Sequence, residues 1–475
     1  MALIATHVCD ISQTPYRLPG APRIFCAPYA VISRRWQDFV EPWTFSSIEL
    51  KDIELDTFVA IFADSRRRAL LRHFTYYITL PTYGKSRHDF AQNQAATNNS
   101  ILKLLNVLKD WDDAGARLEL RVVMVRYDHT AGGIQFAGIK SGTPSRYLIL
   151  DEVELPAVHC VASLKIGACP GRALHPTATC QLAGAFPLLE KLYFEVLDPV
   201  NRQRRMRKDH RLALAASLTA LNLPKLTHLS IHRTTTTDVY NHSFECGGLE
   251  EDGIDALNDA LRKLSQTPPL TDLVLTGALI SPDLFRSRRT ADPDSSEWPT
   301  LRNFTVEAGI VAPSGQWYYT GDPDAVEPGV ESSYRDGSEA SESDDDDRDH
   351  DLRENGVRPT HLWRTQPDPD LFDALVKDMA DAVLRMPQLR LGSLEINPGH
   401  GPSAIILKCA EATCALEDRP DWQLDSEEEK TTRRWHAWIG EGTEWEMPKD
   451  VKVLWAEWLG DSGKSAIGRW PPAEF

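Results

Sequence analysis

The sequence predicts an α/β fold, a solenoid of irregular strand–helix units, and three observations carry that reading. A short motif recurs five times; amphipathic helical segments lie between its copies; the copies are unevenly spaced. The clearest copy is Leu223-Pro224-Lys225-Leu226-Thr227-His228-Leu229-Ser230-Ile231, an apolar-Pro corner followed by Leu, two polar residues, Leu, one polar and one apolar residue. Related copies run over Phe186–Phe194, Thr267–Leu275 and Trp298–Val306, with an altered one at Met386-Pro387-Gln388-Leu389. Each reads as a turn feeding one short strand whose alternate residues face a core.

The first four corners are 37, 45 and 30 residues apart. Recurrence with helical sequence between copies is the signature of a leucine-rich-repeat-like solenoid, and the uneven intervals make it an irregular one. At 475 residues the chain can bury a large core, and a repeat array needs only neighbour contacts to do so.

Composition narrows the function classes. No run approaches the roughly 18 apolar residues of a membrane span. Met1-Ala2-Leu3-Ile4-Ala5 is followed at once by polar residues, without the basic and apolar regions of a secretory signal, so a cytoplasmic or nuclear protein with no membrane partner is expected. Residues 320–354 hold fourteen Asp or Glu against three Arg, so eleven of the seventeen net negative charges sit in one segment. The remainder is mildly acidic and offers no basic face for nucleic acid. Eight cysteines are scattered without a CxxC pair, which predicts reduced, mostly buried thiols. His159, Cys160, Cys169, His175 and Cys180 cluster in sequence, but their spacings match no common zinc finger and no metal is expected.

Along the chain, Tyr29, Ile32, Trp36, Phe39 and Val40 recur at helical spacing, and Pro42 is expected to stop that helix. Thr44–Leu50 alternates as a strand, Leu55–Phe62 reads as a helix with Arg66–Arg68 at its solvated end, and His73–Leu80 is a second strand. Ile101, Leu104, Leu105 and Leu108 mark an amphipathic helix over Ile101–Trp111. Leu118–Val125 is a strand, Thr130–Thr143 a Gly-rich loop or hairpin, and Tyr147–Leu150 and Val161–Ile166 are further strands. Helices are predicted over Arg207–Leu221, with Leu212, Ala215, Ala216 and Leu218 inward, over Gly253–Leu264 and over Leu371–Leu384; a strand is predicted at Gly392–Ile396.

The segment 312–368 interrupts the array with the acidic core Ser338–Asp347, too poor in apolar residues to fold, and is read as a disordered insertion. Ser341 and Ser343 each have an acid three residues on, the target pattern of acidophilic kinases, although a merely solvating loop explains the charge as well. Beyond residue 420, seven of thirteen tryptophans fall in the last 54 residues. Trp435/Trp438 and Trp455/Trp458 each sit at i and i+3, one face of a helix. A Trp-rich cap over the end of the array is preferred, with an aromatic cage or peptide groove as the alternative. The predicted domains are 1–43, 44–311 and 369–420 for the repeats' N-terminal segment, body and last units, with 312–368 inserted and 421–475 as the cap.

The apolar helix carrying Val31, Arg34, Arg35, Trp36 and Phe39, followed by a Phe-x-x-Ile-x-Leu strand, resembles the second half of the F-box in fungal F-box proteins. The first half of such a box is missing: Leu18-Pro19 lies only about a dozen residues upstream, with Gly20, Pro22 and Pro28 between, so 1–43 is a degenerate or truncated F-box-like segment. The resemblance implies a substrate-recruiting adaptor subunit of a cullin–RING ubiquitin ligase. Val31, Ile32, Trp36 and Phe39 would face a Skp-type adaptor, and the repeats would hold a protein substrate of unknown identity. The rival reading is a repeat scaffold for protein interaction with no ligase connection.

Motifs for chemistry are lacking. Gly460-Asp461-Ser462-Gly463-Lys464-Ser465 imitates a phosphate loop, but Trp458 stands where the first Gly is required and Pro471-Pro472 leaves no room for the helix that must follow. No nucleophile elbow, zinc-protease helix or dinucleotide-binding turn occurs. His228 and His232 share the outward parity of Ser230 and are read as residues of an exposed sheet surface. No enzyme, no catalytic residue and no cofactor are expected.

Overall fold

The computed structural model describes residues 32–81, 87–114, 117–128, 133–135, 147–150, 154–167, 173–234, 239–267, 269–287, 297–324, 354–357, 362–397, 404–412, 432–440 and 442–469. The fold is α/β with mostly parallel strands, and among the described residues the sheet does not close into a barrel. The chain divides into two compact units: Met1–Lys140, Tyr147–Leu174 and Gln181–Leu192 form the first, and Ser141–Arg146, His175–Cys180 and Tyr193–Phe475 the second. Among the described residues no helix is long and apolar enough to cross a membrane.

Unit 1 opens with α1 (Arg34–Phe45), then β1 (Ser47–Lys51), α2 (Leu55–Ile61), α3 (Ser65–Leu70), β2 (His73–Leu80), the long α4 (Arg87–Leu108), β3 (Leu118–Asp128), a short β4 (Gly133–Gln135) and β5 (Val161–Gly167). Strands β1, β2, β3 and β5 pair in parallel in that order, and β4 turns back antiparallel onto β3. The strand at His73–Leu80 has the predicted bounds, and Phe74, Tyr76, Ile78 and Leu80 are all buried. The predicted stripe Ile101, Leu104, Leu105 and Leu108 is buried on α4, a helix that starts fourteen residues earlier than its apolar stripe.

Pro42 does not end the first helix; α1 continues to Phe45. The proline stands in the last turn, where it deletes one bond, and the end is closed by side chains: the Thr44 hydroxyl donates to the Val40 carbonyl at 3.1 Å and Ser46 Oγ to Trp43 at 3.2 Å. Ser33 caps the start by accepting from the Trp36 amide at 3.3 Å.

The boundary between units falls within α5 (Pro176–Gly184) and within β6 (Lys191–Val196). Unit 2 continues with α6 (Arg204–Ala220), β7 (His228–Arg233), α7 (Ala256–Ser265), β8 (Asp272–Ala278), β9 (Asn303–Ala308), the two-residue ribbon β10 (Tyr319–Thr320) and β11 (Gln366–Pro367), α8 (Phe372–Leu384), β12 (Leu391–Ile396), β13 (Ile405–Ala410), β14 (Arg434–Ile439), α9 (Lys449–Leu459) and β15 (Lys464–Arg469). Strands β7, β8, β9 and β12 are parallel neighbours; β13 reverses against β12 and β14, and β15 runs parallel to β14 at the edge.

The Pro corners are real turns. Leu189, Leu226, Leu270 and Leu389 each donate their amide to the carbonyl three residues back, at 3.0–3.2 Å, and each Leu is buried. A second feature repeats at the strand starts. One carbonyl accepts two successive amides: Ser46 from Arg72 and His73 in unit 1, and in unit 2 Thr227 from Thr271 and Asp272, Thr271 from Arg302 and Asn303, and Arg302 from Arg390 and Leu391.

Three further expectations are corrected. Trp435 and Trp438 lie on strand β14, not on a helix; Trp435, Ala437 and Ile439 alternate inward there, and a single i, i+3 pair does not distinguish the two periods. The flanks of the predicted insertion 312–368 belong to the fold: Tyr318 and Tyr319 are buried, Tyr318 donates to the Ile280 carbonyl at 2.8 Å, and β10 pairs with β11. Aromatic residues in these flanks supply the apolar surface that the acidic sequence between them is poor in. On α6 the inward stripe is Arg207, His210, Arg211, Leu214, Ala215 and Leu218, whereas Ala216 is exposed and Leu212 half-buried. Charged residues occupying core positions had shifted the apparent phase.

Candidate functional site

Alternation along the strands leaves one sheet face polar in each unit. Parallel sheets are normally covered on both faces and read as continuous apolar runs; here β1, β2, β7 and β9 instead read polar at every second residue, while Val123 and Val125 on β3, Val274 on β8 and Ile406 on β13 interrupt the polar rows. In unit 1, Ser47, His73, Glu119 and Ser163 share one row, and Glu49, Thr75, Arg121 and Lys165 the next. Lys165 Nζ reaches Glu119 at 2.7 Å, and Tyr77 donates to Glu49 at 3.2 Å. In unit 2, Ser230, Val274, Thr305, Ser393 and Lys408 are in register, as are His232, Thr276, Glu307, Glu395 and Ile406. His232 and Glu307 are exposed, Asn303 donates to Asp272 at 2.6 Å, and Lys408 lies over the Trp438 ring at 5.4 Å. His228 and His232 thus lie on the outward parity that the sequence predicts, with Leu229 and Ile231 buried between and behind them.

At the C-terminal ends of β7, β8, β9 and β12 this face borders a cavity of about 180 Å³. Ligands of open α/β sheets bind at this end of the strands. One wall is cationic. Arg207 comes from α6 and Arg233 from the last position of β7, where alternation from Leu229 and Ile231 drives its side chain inward. Arg233 Nε donates to Asp198 at 2.6 Å and a terminal nitrogen to the Gly277 carbonyl at 3.0 Å. Gly277 has φ +67°, and a Cβ there would stand 2.5 Å from the Arg233 carbonyl, so the close approach requires glycine. Burial alone would raise the Asp198 carboxyl, but the charges of Arg233, Arg207 and His210 outweigh it and hold the group well below the carboxylate range. Burial lowers His210 to about 4 against the pull of Asp198, and lowers Arg207 to about 10. Cys246, on the same cavity, is pushed up to about 11 by burial and stays a neutral thiol.

The other wall is acidic. Glu307 and Glu395 are register partners on adjacent strands and both line the cavity. Desolvation, then the neighbouring Glu307 charge, raises the Glu395 carboxyl above its ordinary value.

The residues singled out from sequence are placed as follows. Ile32 is 59% and Phe39 37% exposed, Trp36 is half-buried, and Val31 lies outside the described residues. Ser341, Ser343, Cys169 and the acidic core also lie outside them. Cys160 donates to the Leu108 carbonyl at 3.6 Å, burial pushes the Cys180 thiol up to about 12, and His175 Nδ1 contacts the Thr177 hydroxyl at 3.1 Å. Among the described residues no three His, Cys, Asp or Glu could hold a metal ion. The Gly460–Ser465 stretch turns from α9 into β15, where a phosphate loop would enter a helix. Trp435 stacks on Trp455 at 4.3 Å and meets Trp458 edge-on at 6.0 Å, while Trp445 Nε1 donates to Asp373 at 2.8 Å. Those four rings are buried.

Sequence reading did not find Arg207, Arg233, Glu307 or Glu395. A usable signal was present for the arginines: each continues an apolar stripe, helical for Arg207 and alternating for Arg233, and charged residues in core register are unusual. No protein-family model and no curated protein matches this chain.

Proposed function

We propose that the chain is a recognition protein without catalytic activity, the substrate-recruiting F-box-type subunit of a cullin–RING ubiquitin ligase. The observation that carries the recognition role is the polar sheet face. Rows of polar residues crossing successive strands, with His73, Arg121, His232 and Glu307 exposed and others half-buried, make a rigid surface of paired charges and hydroxyls suited to a protein partner. The reading includes an irregular leucine-rich-repeat-like array, supported by the repeated Pro turn and the doubly accepting carbonyl at successive strand starts.

The ligase connection rests on the F-box resemblance. It is supported by the exposure of Ile32, just before α1, and of Phe39 on it, two large apolar side chains offered to a Skp-type adaptor. One observation favours the alternative, a scaffold with no ligase connection. Glu41 on α1 is 3% exposed and paired with Arg66 and Arg67 (3.1 Å) of α3, and Val40 is buried, so the helix also has a structural role within unit 1.

Co-expression with a fungal Skp-type adaptor followed by size-exclusion chromatography tests the choice. Co-elution that Phe39→Ala and Ile32→Ala abolish without unfolding the chain supports the ligase reading. Absence of any complex leaves the scaffold.

A further inference from the structure

We propose that the cavity at the ends of β7, β8, β9 and β12 binds a small zwitterion, its carboxylate on Arg207 and its protonated amine facing Glu307 and Glu395. The proposal does not depend on the ligase reading.

The first argument is an unmet donor. Arg207 is 8% exposed, its Nε is enclosed, and among the described residues that nitrogen has no hydrogen-bond partner. Buried polar groups are nearly always bonded, and a buried cation without a bonded anion is costly. The carboxylate whose charge acts on it, Asp198, is already engaged by Arg233 at 2.6 Å, so Asp198, Arg207 and Arg233 together hold one positive charge in excess. Arg207 also lines the cavity, and a guanidinium is a carboxylate receptor.

The second argument is the opposite wall. Parallel register sets Glu307 beside Glu395 on the same face, two like charges whose mutual repulsion an incoming cation would relieve. Arg207 stands on α6 and the two glutamates on β9 and β12, and all three line the one cavity. A ligand that meets both carries its amine and its carboxylate on one chain of methylenes, and Leu279 and Ile310 provide apolar lining for such a chain. A volume of about 180 Å³ suits a ligand the size of a single amino acid.

Isothermal titration of the full chain with 6-aminohexanoate and with L-lysine tests this, with hexanoate and pentane-1,5-diamine as half-ligands. Both zwitterions are expected to bind, and each half-ligand to bind at least about 10-fold more weakly, the scale of one hydrogen bond to a charged group. Arg207→Gln should weaken 6-aminohexanoate by about 10- to 100-fold. Should Arg207→Gln fail to fold, Gly309→Leu serves in its place: a Cβ at this cavity-lining glycine meets nothing within 4 Å, so the side chain fills the cavity and leaves both charged walls intact. Gly-Gly-Lys compared with its C-terminal amide distinguishes the ligand's source. Free-acid peptide binding as well as lysine points to a chain terminus, and binding of lysine alone points to a free amino acid. No heat with either zwitterion, hexanoate binding as tightly as 6-aminohexanoate, or binding untouched by both variants would overturn the proposal.

Discussion

In unit 1 the interior beside the strands is aromatic. Phe58 stacks on Phe74 at 4.7 Å and on Trp111 at 5.5 Å, and Phe62 closes the cluster at 4.5 Å from Phe58. In unit 2 the space between α6 and α7 is ionic. Arg211, 8% exposed, holds Asp255, 1% exposed, through two bonds of 2.7 Å, and donates a third to the Leu279 carbonyl at 2.8 Å. Asp255 also caps α7 by accepting from the Asn258 amide at 2.9 Å. Both units use the same strand joint, so the joint does not demand charge. Buried ion pairs are often no more stable than apolar replacements of equal volume. Glu41 in unit 1 is a buried carboxylate too, but its partners Arg66 and Arg67 are 43% and 30% exposed, whereas both members of the Arg211–Asp255 pair are enclosed, and that sets the two interiors apart.

The sharpest way to break this comparison is to remove one partner in each unit. Asp255→Ala strands the buried Arg211 charge and should cost about 3–5 kcal/mol; Phe58→Ala leaves a large hole and should cost a similar 3–5 kcal/mol. Urea unfolding of each variant measures both. The difference lies in rescue. Adding Arg211→Met to an Asp255→Leu background should recover most of the loss, leaving about 1 kcal/mol for the missing helix cap. A second substitution that removes a partner of Phe58 should only deepen the Phe58→Ala loss. If the apolar pair rescues nothing, the ionic clasp is needed for folding.

The next effect depends on pH and belongs to unit 2. His210 is buried as a neutral ring with its pKa near 4, below the unfolded value of about 6.5. Between those limits the unfolded chain binds more protons, so stability is full above about pH 6.5 and falls as pH drops toward 4. The shift corresponds to roughly 3 kcal/mol. Asp198 contributes nothing in that window because its own pKa is held far lower; its share is lost only as pH falls below the ordinary carboxylate range. Unfolding curves at pH 7 and pH 4.5 should differ for the parent chain, and His210→Asn should flatten the difference. An unchanged slope in the variant would assign the acid sensitivity elsewhere.

How much of this was legible follows the same division. Where burial is apolar the sequence spoke clearly: the stripe of α4, the alternation of His73–Leu80 and the Leu after each Pro corner all sit where periodicity puts them. Where polar residues enter the interior it misled. Arg207, His210 and Arg211 hold the core face of α6, so a reading that seeks apolar residues rotated the helix toward Leu212 and Ala216. Trp435 and Trp438 matched a helical interval over too short a stretch to exclude a strand. Glu307 and Glu395 are 88 residues apart in sequence, and only the parallel pairing of β9 with β12 makes them neighbours.

The smallest effect is the most informative about the sheet face. Lys165 and Glu119 form a 2.7 Å ion pair in unit 1 with side chains 40% and 32% exposed, in contrast to the enclosed Arg211–Asp255 clasp. Solvent and salt screen such a pair, and holding a long side chain in place costs entropy, so Lys165→Ala should change stability by no more than about 0.5–1 kcal/mol. That loss should shrink further at high salt. A stability loss beyond about 2 kcal/mol, seen in the same urea titration, would mean that the ladder of charges on β2, β3 and β5 is structural. Near-neutrality, by contrast, removes folding as the explanation for polar residues at Glu49, Thr75, Arg121 and Lys165. Such residues would then be free to serve recognition, and Arg121→Glu together with Lys165→Glu would weaken a docked partner while the fold stays intact.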